Sequence, residues 1–195
     1  MRTIERKPRL WSAQEYHQMV DLGFFDGQRA ELIEGEIVDM APQLDRHYVA
    51  VCLVTEALGA IFREGYHVRP QGPLRLGRKS EPEPDVAVVK GNLRSHIGRG
   101  HPTSAVLVVE VSDSSLGYDR SDKASLYAKH GIRDYWIVNL VDNVVEVHRD
   151  PVTDTDAGFG WSYSNRQTVK SGESLSPLAK PRSSVRVDDL LPRLG

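Results

Sequence analysis

Residues 105–111 read AVLVVEV, an apolar run that is interrupted by a single acid, Glu110. A second apolar run, PDVAVV at residues 84–89, opens on Asp85. Both runs have the length and the β-branched content of buried strands, and a polar loop separates them. A buried carboxylate without a partner costs several kcal/mol, so each acid needs a cation, a hydrogen-bonding partner or water. A structural ion pair or a strand end in contact with solvent would satisfy one acid, whereas two acids in neighbouring strands favour a shared site.

Upstream of these strands, the sequence predicts two helices and an acidic hairpin. Residues 12–15, SAQE, form a capping box that begins the first helix, and Gly23 is its predicted stop. Residues 31–40, ELIEGEIVDM, read as two short strands that meet at Gly35. Asp45 is predicted to cap a second helix. The apolar stripe predicted to place this helix in the core contains Tyr48, Val49, Cys52, Leu58, Ile61 and Phe62.

Downstream of the acidic strands, the sequence predicts one helix and further strands. The helix extends over residues 121–130 and is stopped by Gly131, and strands follow at 134–139 and 144–148. Weaker strand patterns lie at residues 161–169 and 183–187, and a proline-interrupted strand lies at residues 67–76. This order predicts an α/β fold, a mixed sheet with helices on its faces. We expect a single domain over residues 1–195, with its core at about 12–150 and a β-rich extension at 151–195.

Composition is that of an ordinary folded protein. The 195 residues are 39% hydrophobic and 27% charged. No apolar run approaches the roughly 20 residues of a spanning helix, and the N-terminus has no apolar stretch typical of a signal peptide, so a cytoplasmic protein without a membrane partner is expected. A single cysteine, Cys52, excludes an internal disulfide and a cysteine-based zinc site. Its apolar neighbours favour a small buried filler over a nucleophile.

Charge is distributed unevenly along the chain. The formal net charge is only −2, but residues 63–100 hold 8 basic residues against 4 acids. These basic residues fit either a phosphate-facing patch or an ordinary solvated surface. Nucleic-acid affinity would therefore depend on local charge.

The third predicted helix carries a candidate catalytic lysine. Asp119, Lys123 and Tyr127 are spaced four apart and would share one face if the helix begins early enough. Lys123 could then point toward the two acidic strands, orient a water molecule and stabilise a pentavalent phosphate. A surface salt bridge with Asp119, worth at most about 0.5 kcal/mol, is the alternative. Spacing alone does not choose between them.

The acids and the lysine together resemble the PD-(D/E)XK nuclease superfamily, whose core order is αβββαβ. The chain is more closely similar to the Uma family of restriction-endonuclease-like proteins over roughly residues 12–150. Five blocks in the right order carry this resemblance: ELIEGE at 31–36, PDVA at 84–87, VVEVS at 108–112, the segment 119–123 with Tyr127, and the segment 131–138. Their joint occurrence is far more specific than the short superfamily motif.

The resemblance implies a metal-dependent endonuclease that hydrolyses DNA phosphodiester bonds. Asp85 and Glu110 would hold Mg²⁺ or Mn²⁺, with the backbone carbonyl of Val111 as a further ligand. The superfamily lysine would lie two residues after Glu110, where this chain has Ser112. The resemblance therefore implies that the function has migrated to Lys123.

Other polar residues are candidates for supporting roles in this site. The turn at Gly35 leaves open which acids of the hairpin point inward, and His47 fits a water-bridging site residue and a helix-capping surface residue equally well. The candidates are Glu31, Glu34, Glu36, His47 and Asp119. The remaining histidines considered, which have no metal-ligand spacing and are expected to be solvent-facing or structural, are His67, His96, His101, His130 and His148.

Double-strand cleavage by nucleases of this fold needs two active sites, which predicts a homodimer. The apolar strand at residues 135–138 and the β-rich tail are the expected assembly surface. The sequence leaves two alternatives to the endonuclease function. One is a non-catalytic DNA-binding or protein-interaction module of the same fold, and the other is a hydrolase that does not act on nucleic acid.

Overall fold

A six-stranded sheet organises the chain in the computed structural model, which describes residues 8–192. The sheet order is β3-β4-β5-β6-β7-β8, in which β5 and β6 are parallel and all other neighbours are antiparallel. The strands are β3 (Tyr66–Pro70), β4 (Val86–Lys90), β5 (Leu107–Ser112), β6 (Asp134–Asn139), β7 (Val144–Thr153) and β8 (Trp161–Lys170).

Short hairpins and helices surround this sheet. Helix α1 (Ala13–Asp21) precedes the hairpin β1 (Ala30–Ile33) and β2 (Glu36–Asp39), and α2 (Asp45–Ile61) follows it. The parallel strands β5 and β6 are joined by α3 (Leu116–Tyr118), a π-helical turn (Asp119–Lys123) and α4 (Ala124–Lys129). Near the C-terminus, β9 (Ser174–Leu175) pairs with β10 (Val185–Arg186), and short 3₁₀ turns occupy Leu93–His96 and Val187–Asp189.

Strand alternation divides the core into two layers. On β5, Val109 and Val111 pack toward α2, whereas Val108 packs toward α4. Glu110 shares the face of Val108, because side chains two residues apart in a strand point the same way. The α4 face of the sheet therefore carries the buried acid.

The predicted α/β order is confirmed, including αβββαβ from α2 to β6. The capping box is present, because the Ser12 hydroxyl accepts from the Glu15 amide and the Glu15 carboxylate accepts from the Ser12 amide. The acidic hairpin turns at Glu34 and Gly35, whose φ angles of 48° and 92° fit a two-residue turn with both central residues left-handed. None of the described helices is long and apolar enough to cross a membrane.

The predicted apolar stripe of α2 is partly wrong. Asp45 is the first helical residue rather than the cap, and Leu44 occupies the N-cap without a side-chain hydrogen bond. Tyr48, Val49 and Cys52 are exposed, so Cys52 is not a buried filler. Leu58 and Phe62 of the predicted stripe are buried. The helix is apolar on more than one face, and packing against the sheet buries Ala50, Val51 and Val54 in place of the exposed residues.

The predicted assembly surface at residues 135–138 is also wrong. These residues lie on β6, every residue of which is buried between β5 and β7. A strand that is hydrogen-bonded on both edges and covered on both faces cannot offer a self-complementary surface. Its apolar run reflects a central position in the sheet.

Candidate active site

Asp85, immediately before β4, and Glu110 on β5 lie side by side. Each carboxylate accepts a hydrogen bond from a backbone amide at or next to the other acid. The Asp85 amide donates to Glu110 Oε2 at 2.9 Å, and the Val111 amide donates to Asp85 Oδ2 at 2.9 Å. The two strands are antiparallel neighbours, so residues 25 positions apart meet at one end of the sheet. The predicted meeting of these two acids is present in the structure.

Lys123 reaches this pair from the helical connection between β5 and β6. Its Nζ donates to Glu31 Oε2 at 2.6 Å and to Glu110 Oε1 at 3.4 Å, and its side chain is only 5% exposed. The π-helical turn widens the helix immediately before α4, and such turns are frequent at functional sites. The Tyr135 hydroxyl donates to the backbone carbonyl of Asp119 within that turn, at 3.0 Å.

The N-terminal hairpin supplies one acid to this centre. Glu31 lies on β1 and is buried, and its Oε2 accepts from Lys123 and from the Glu83 amide at 3.1 Å. Glu34 instead contacts Ser80, Lys129 and His130, and Glu36 is exposed. Of the three hairpin acids, only Glu31 joins the lysine.

Asp119 is buried near the lysine without forming the surface salt bridge that spacing allowed. Its Oδ2 accepts from the hydroxyls of Ser112 and Ser115, each at 2.6 Å. Burial raises the pKa of Asp119 above its ordinary value, although these two hydroxyls act in the opposite direction. Ser112, at the position where the superfamily lysine would lie, therefore orients a second buried acid.

Tyr127 completes the polar environment of Glu110. Its hydroxyl donates to Glu110 Oε1 at 2.7 Å, one helical turn beyond Lys123. Asp119, Lys123 and Tyr127 are all buried toward the sheet, so the predicted common face is present. The spacing pointed to Tyr127, but its bond to the strand acid required the tertiary structure.

Burial and charge shift the pKa values of the central pair. Desolvation raises the pKa of Glu110 to about 8, and the nearby Asp85 and Asp119 add to this shift, whereas Lys123 opposes it. Desolvation acts to lower the pKa of Lys123, but the charges of Glu110 and Glu31 outweigh it and raise the pKa above its ordinary value. The lysine is therefore held in its charged form.

His47 approaches from the first turns of α2. Its Nε2 lies 3.2 Å from Asp85 Oδ2, so the histidine contacts the site instead of capping the helix. Burial acts to lower the pKa of His47, but the hydrogen bond to Asp85 and the charges of Asp85 and Glu110 raise it overall. The contact with Asp85 therefore stabilises the charged form of His47.

One cavity of about 500 Å³ is lined by most of the residues described above, including His47 and Lys123. Six carboxylates border it, and the cationic side chains beside them are Arg29 and Lys123. The carboxylates are those of Glu31, Asp39, Asp85, Glu110, Asp113 and Asp119. The Val111 backbone also lies at this cavity, beside both strand acids. Hard oxygen donors in excess over cationic side chains are the donor set that Mg²⁺ and Mn²⁺ prefer.

A second polar cluster, which the sequence did not reveal, lies outside this cavity. It contains His17, Glu81 and His101, whose potential ligand atoms lie within 4.8 Å of one another. His101 was expected to be solvent-facing or structural because no metal-ligand spacing surrounds it. The three residues come from distant parts of the sequence, so no local spacing could have indicated the cluster.

The strand order, the αβββαβ core and the acidic cavity define a protein of the restriction-endonuclease-like class. Residues 13–184 match the family Uma2, whose description is "Putative restriction endonuclease", and the chain belongs to this family. Its fold is similar to the crystal structure of a putative nuclease belonging to DUF820 from Anabaena variabilis, with a TM-score of 0.60. The two chains are 14% identical, and the match covers 83% of this chain and 88% of that one. No curated protein matches the sequence.

Proposed function

We propose that this protein is a divalent-metal-dependent endonuclease that hydrolyses DNA phosphodiester bonds in the cavity beside β4 and β5. The carrying observation is the position of Lys123, whose Nζ lies 3.4 Å from Glu110 Oε1 although it comes from a helix. A lysine two residues after the acid is absent, and Lys123 reaches the same carboxylate from the next element.

Asp85, Glu110 and the carbonyl of Val111 would hold Mg²⁺ or Mn²⁺. The fit rests on the proposed ligand atoms, which are all oxygen, and on charge. Six carboxylates line the cavity against Arg29 and Lys123, which leaves a formal surplus of four negative charges when His47 is neutral. When bound, such a cation neutralises negative charge on a phosphodiester and lowers the pKa of a coordinated water. His47 would fix the orientation of Asp85, which it contacts.

Lys123 would position the attacking water and stabilise the charge that develops on the phosphate. Its ammonium group is held by Glu31 and Glu110, so its orientation is set before substrate arrives. Tyr127 would fix Glu110 through its hydroxyl, and Asp119 would support the helical turn that carries the lysine. These positioning contacts come from β1, β5 and the helical connection.

DNA is the proposed substrate because of the family and because basic side chains are available. Seven of the eight basic residues in segment 63–100 are exposed, and Arg69 is half-buried. Exposed arginine and lysine side chains can contact backbone phosphates at any sequence. Arg29 also borders the cavity itself.

A catalytically degenerate module of the same fold is the second candidate, and one observation favours it. Both oxygens of Glu110 already accept hydrogen bonds inside the protein, Oε2 from the Asp85 amide and Oε1 from Tyr127 and Lys123. Such a network satisfies a buried acid without a metal. The two candidates differ in whether the protein binds Mn²⁺ and cleaves DNA.

The test is incubation of the purified protein with plasmid, linear duplex and single-stranded DNA in Mg²⁺, in Mn²⁺ and in excess chelator. We expect cleavage in both metals and none in chelator. Asp85→Ala should abolish cleavage and Mn²⁺ binding, whereas Glu36→Ala, which removes an exposed acid, should preserve both. Cleavage that persists in chelator would remove the metal from the mechanism, and a wild type that neither binds Mn²⁺ nor cleaves would support the degenerate module.

Homodimerisation stays a prediction. Of the surface expected for it, residues 135–138 are internal to the sheet, whereas the β-rich tail stays untested. Two copies would be needed to cut both strands of a duplex at once. Sedimentation at micromolar concentration should give a species of twice 21.8 kDa. Only the 21.8 kDa species would contradict it.

A further inference from the structure

His17, Glu81 and His101 form a compact cluster of metal-ligating groups away from the nuclease cavity. His17 Nε2 lies 2.7 Å from Glu81 Oε1, and His101 Nε2 lies 3.6 Å from the same oxygen. All three potential ligand atoms lie within 4.8 Å of one another, and no other group of this kind occurs among residues 8–192. None of the three residues lines the cavity of the proposed nuclease site.

The carboxylate of Glu81 is the buried centre of this cluster. Its side chain is only 3% exposed, and its Oε2 has no hydrogen-bond partner within the described part of the chain. Within residues 8–192, the groups at ion-pair distance from it are the two histidines. An incompletely satisfied buried carboxylate is costly, so this oxygen indicates a ligand that supplies positive charge.

The backbone around each ligand is fixed by hydrogen bonds. Glu81 forms a bridge with Leu32, in which the Glu81 amide donates to the Leu32 carbonyl at 2.6 Å. His17 lies on α1, whose first residue, Ala13, donates its amide to the Arg78 carbonyl at 2.8 Å. The residue after His101, Pro102, accepts from the Arg75 amide at 2.9 Å. The three side chains are therefore brought together by the fold before any ion arrives.

The donor set differs from that of the nuclease cavity. Two imidazole nitrogens and one carboxylate oxygen suit Zn²⁺ and other borderline transition metals, whereas Mg²⁺ prefers oxygen alone. The side chains of His17 and His101 are 43% and 40% exposed, which leaves room for water as a further ligand.

We propose that His17, Glu81 and His101 bind one Zn²⁺ ion that joins α1 to the loop between β4 and β5. The ion completes the coordination of the buried Glu81 carboxylate and cross-links three segments that are distant in sequence. Its role is structural: bound Zn²⁺ stabilises the folded state, because a site assembled by the fold is absent from the unfolded chain. The site is independent of the proposed nuclease function.

The test uses the full chain carrying Asp85→Ala, which removes a proposed ligand of the nuclease cavity. After treatment with chelator, Zn²⁺ is titrated by calorimetry and Co²⁺ by absorption spectroscopy. We expect one equivalent of Zn²⁺ per chain, a Co²⁺ spectrum typical of nitrogen and oxygen ligands, and a rise in melting temperature with Zn²⁺. Less than one equivalent of Zn²⁺ would overturn the proposal.

A matched pair of variants assigns the binding. His101→Ala removes one ligand, and His96→Ala removes a histidine of the same loop whose ring packs on His67, with centroids 4.8 Å apart. We expect Zn²⁺ affinity to fall at least roughly 100-fold in His101→Ala, more than loss of an outer-shell partner typically costs, and to be unchanged in His96→Ala. Equal affinity in the two variants would overturn the assignment. In a chain that retains Asp85, His101→Ala should cleave DNA in Mg²⁺ as the wild type does. The zinc proposal and the nuclease proposal are therefore tested by separate measurements, and each can be overturned without the other.

Discussion

Two buried glutamates flank the same residue of the sheet, yet their environments act on them in opposite directions. Glu110 on β5 and Glu146 on β7 both pair with Ile137 of β6, one from each side. Burial acts to raise the pKa of each. The pKa of Glu110 rises to about 8, whereas that of Glu146 falls to about 2.

The difference comes from the cations and donors that each acid meets. Hydrogen bonds from Arg120 and Asn139, together with His148 at 3.8 Å, outweigh the burial of Glu146. Both oxygens of Glu146 accept from the Arg120 guanidinium. Glu110 shares its lysine with Glu31, since Lys123 Nζ lies 2.6 Å from Glu31 and 3.4 Å from Glu110. Asp85 and Asp119 add negative charge near it.

This comparison separates a structural ion pair from a candidate metal site. Glu146 accepts two-pronged hydrogen bonds from the Arg120 guanidinium, which neutralises its charge within the protein. Glu110 lies in a cavity where carboxylates outnumber cationic side chains, so its ionised form is stabilised by an added cation. The predictions that follow test this contrast, from the largest expected effect to the smallest.

The largest effect is expected at Lys123. In Lys123→Ala, single-turnover DNA cleavage should fall by at least about 100-fold, because the charge that orients water and stabilises the phosphate is gone. Mn²⁺ and DNA binding should persist, since Asp85 and Glu110 remain. Lys129→Ala is the control. It removes a lysine of the same helical connection, but one that pairs with Glu34 outside the cavity. Equal cleavage rates in the two variants would end the catalytic assignment.

The second prediction compares Glu110→Gln with Glu146→Gln. Glu110→Gln should weaken Mn²⁺ binding more than about 10-fold, because a ligand charge is lost, while leaving the melting temperature of the metal-free protein unchanged or higher. Glu146→Gln should retain Mn²⁺ binding but lower the free energy of unfolding by about 1–2 kcal/mol through its weaker bonds to Arg120. Calorimetry and thermal unfolding measure both. A marked loss of stability in metal-free Glu110→Gln would indicate that Glu110 is a structural partner like Glu146.

The third prediction restores the lysine to the strand. In Ser112→Lys with Lys123→Ala, the ammonium returns to a position two residues beyond Glu110, on the same face of β5. Part of the cleavage lost in Lys123→Ala should reappear, roughly 10-fold, with the new lysine held by the Asp119 carboxylate that Ser112 now contacts. Recovery should be partial because Ser112 is fully buried and the larger side chain must displace its neighbours. A folded double variant no faster than Lys123→Ala would show that the strand position cannot serve the site.

The smallest effect concerns stability against pH in chelator. The folded-state pKa of Glu110, about 8, lies above its ordinary value of 4.5, so the free energy of unfolding should decline as pH rises between these values and level off above them. Glu146 has the opposite sign: with a folded-state pKa of about 2, its contribution is present above pH 4.5 and is lost as pH falls toward 2. Glu110→Gln should remove the first dependence and Glu146→Gln the second. Unchanged pH profiles in both variants would contradict the pKa contrast.

The sequence determined that two strands would be buried and which acids would need partners. Apolar runs at β4 and β5 indicated buried strands, and the two acids stood out because Asp85 opens one run and Glu110 interrupts the other. The order of elements and the capping box were equally readable, since both depend on local spacing. The same local reasoning failed on α2, where more than one face is apolar, and on β6, where a central strand resembles an exposed apolar patch.

Only the tertiary structure decided which charges meet. Glu31 and Lys123 are 92 residues apart and pair at 2.6 Å, whereas Glu34 pairs with Lys129. Glu81 lies beside two histidines that come from different segments. The physical reason is that side-chain periodicity fixes the face on which a residue lies, whereas the partner on that face depends on how the elements pack. Glu110 and Glu146 show this most directly, because both lie on β-strands beside Ile137 yet their pKa values shift in opposite directions. Glu146 accepts from the Arg120 guanidinium through both oxygens, whereas Glu110 shares the Lys123 ammonium with Glu31.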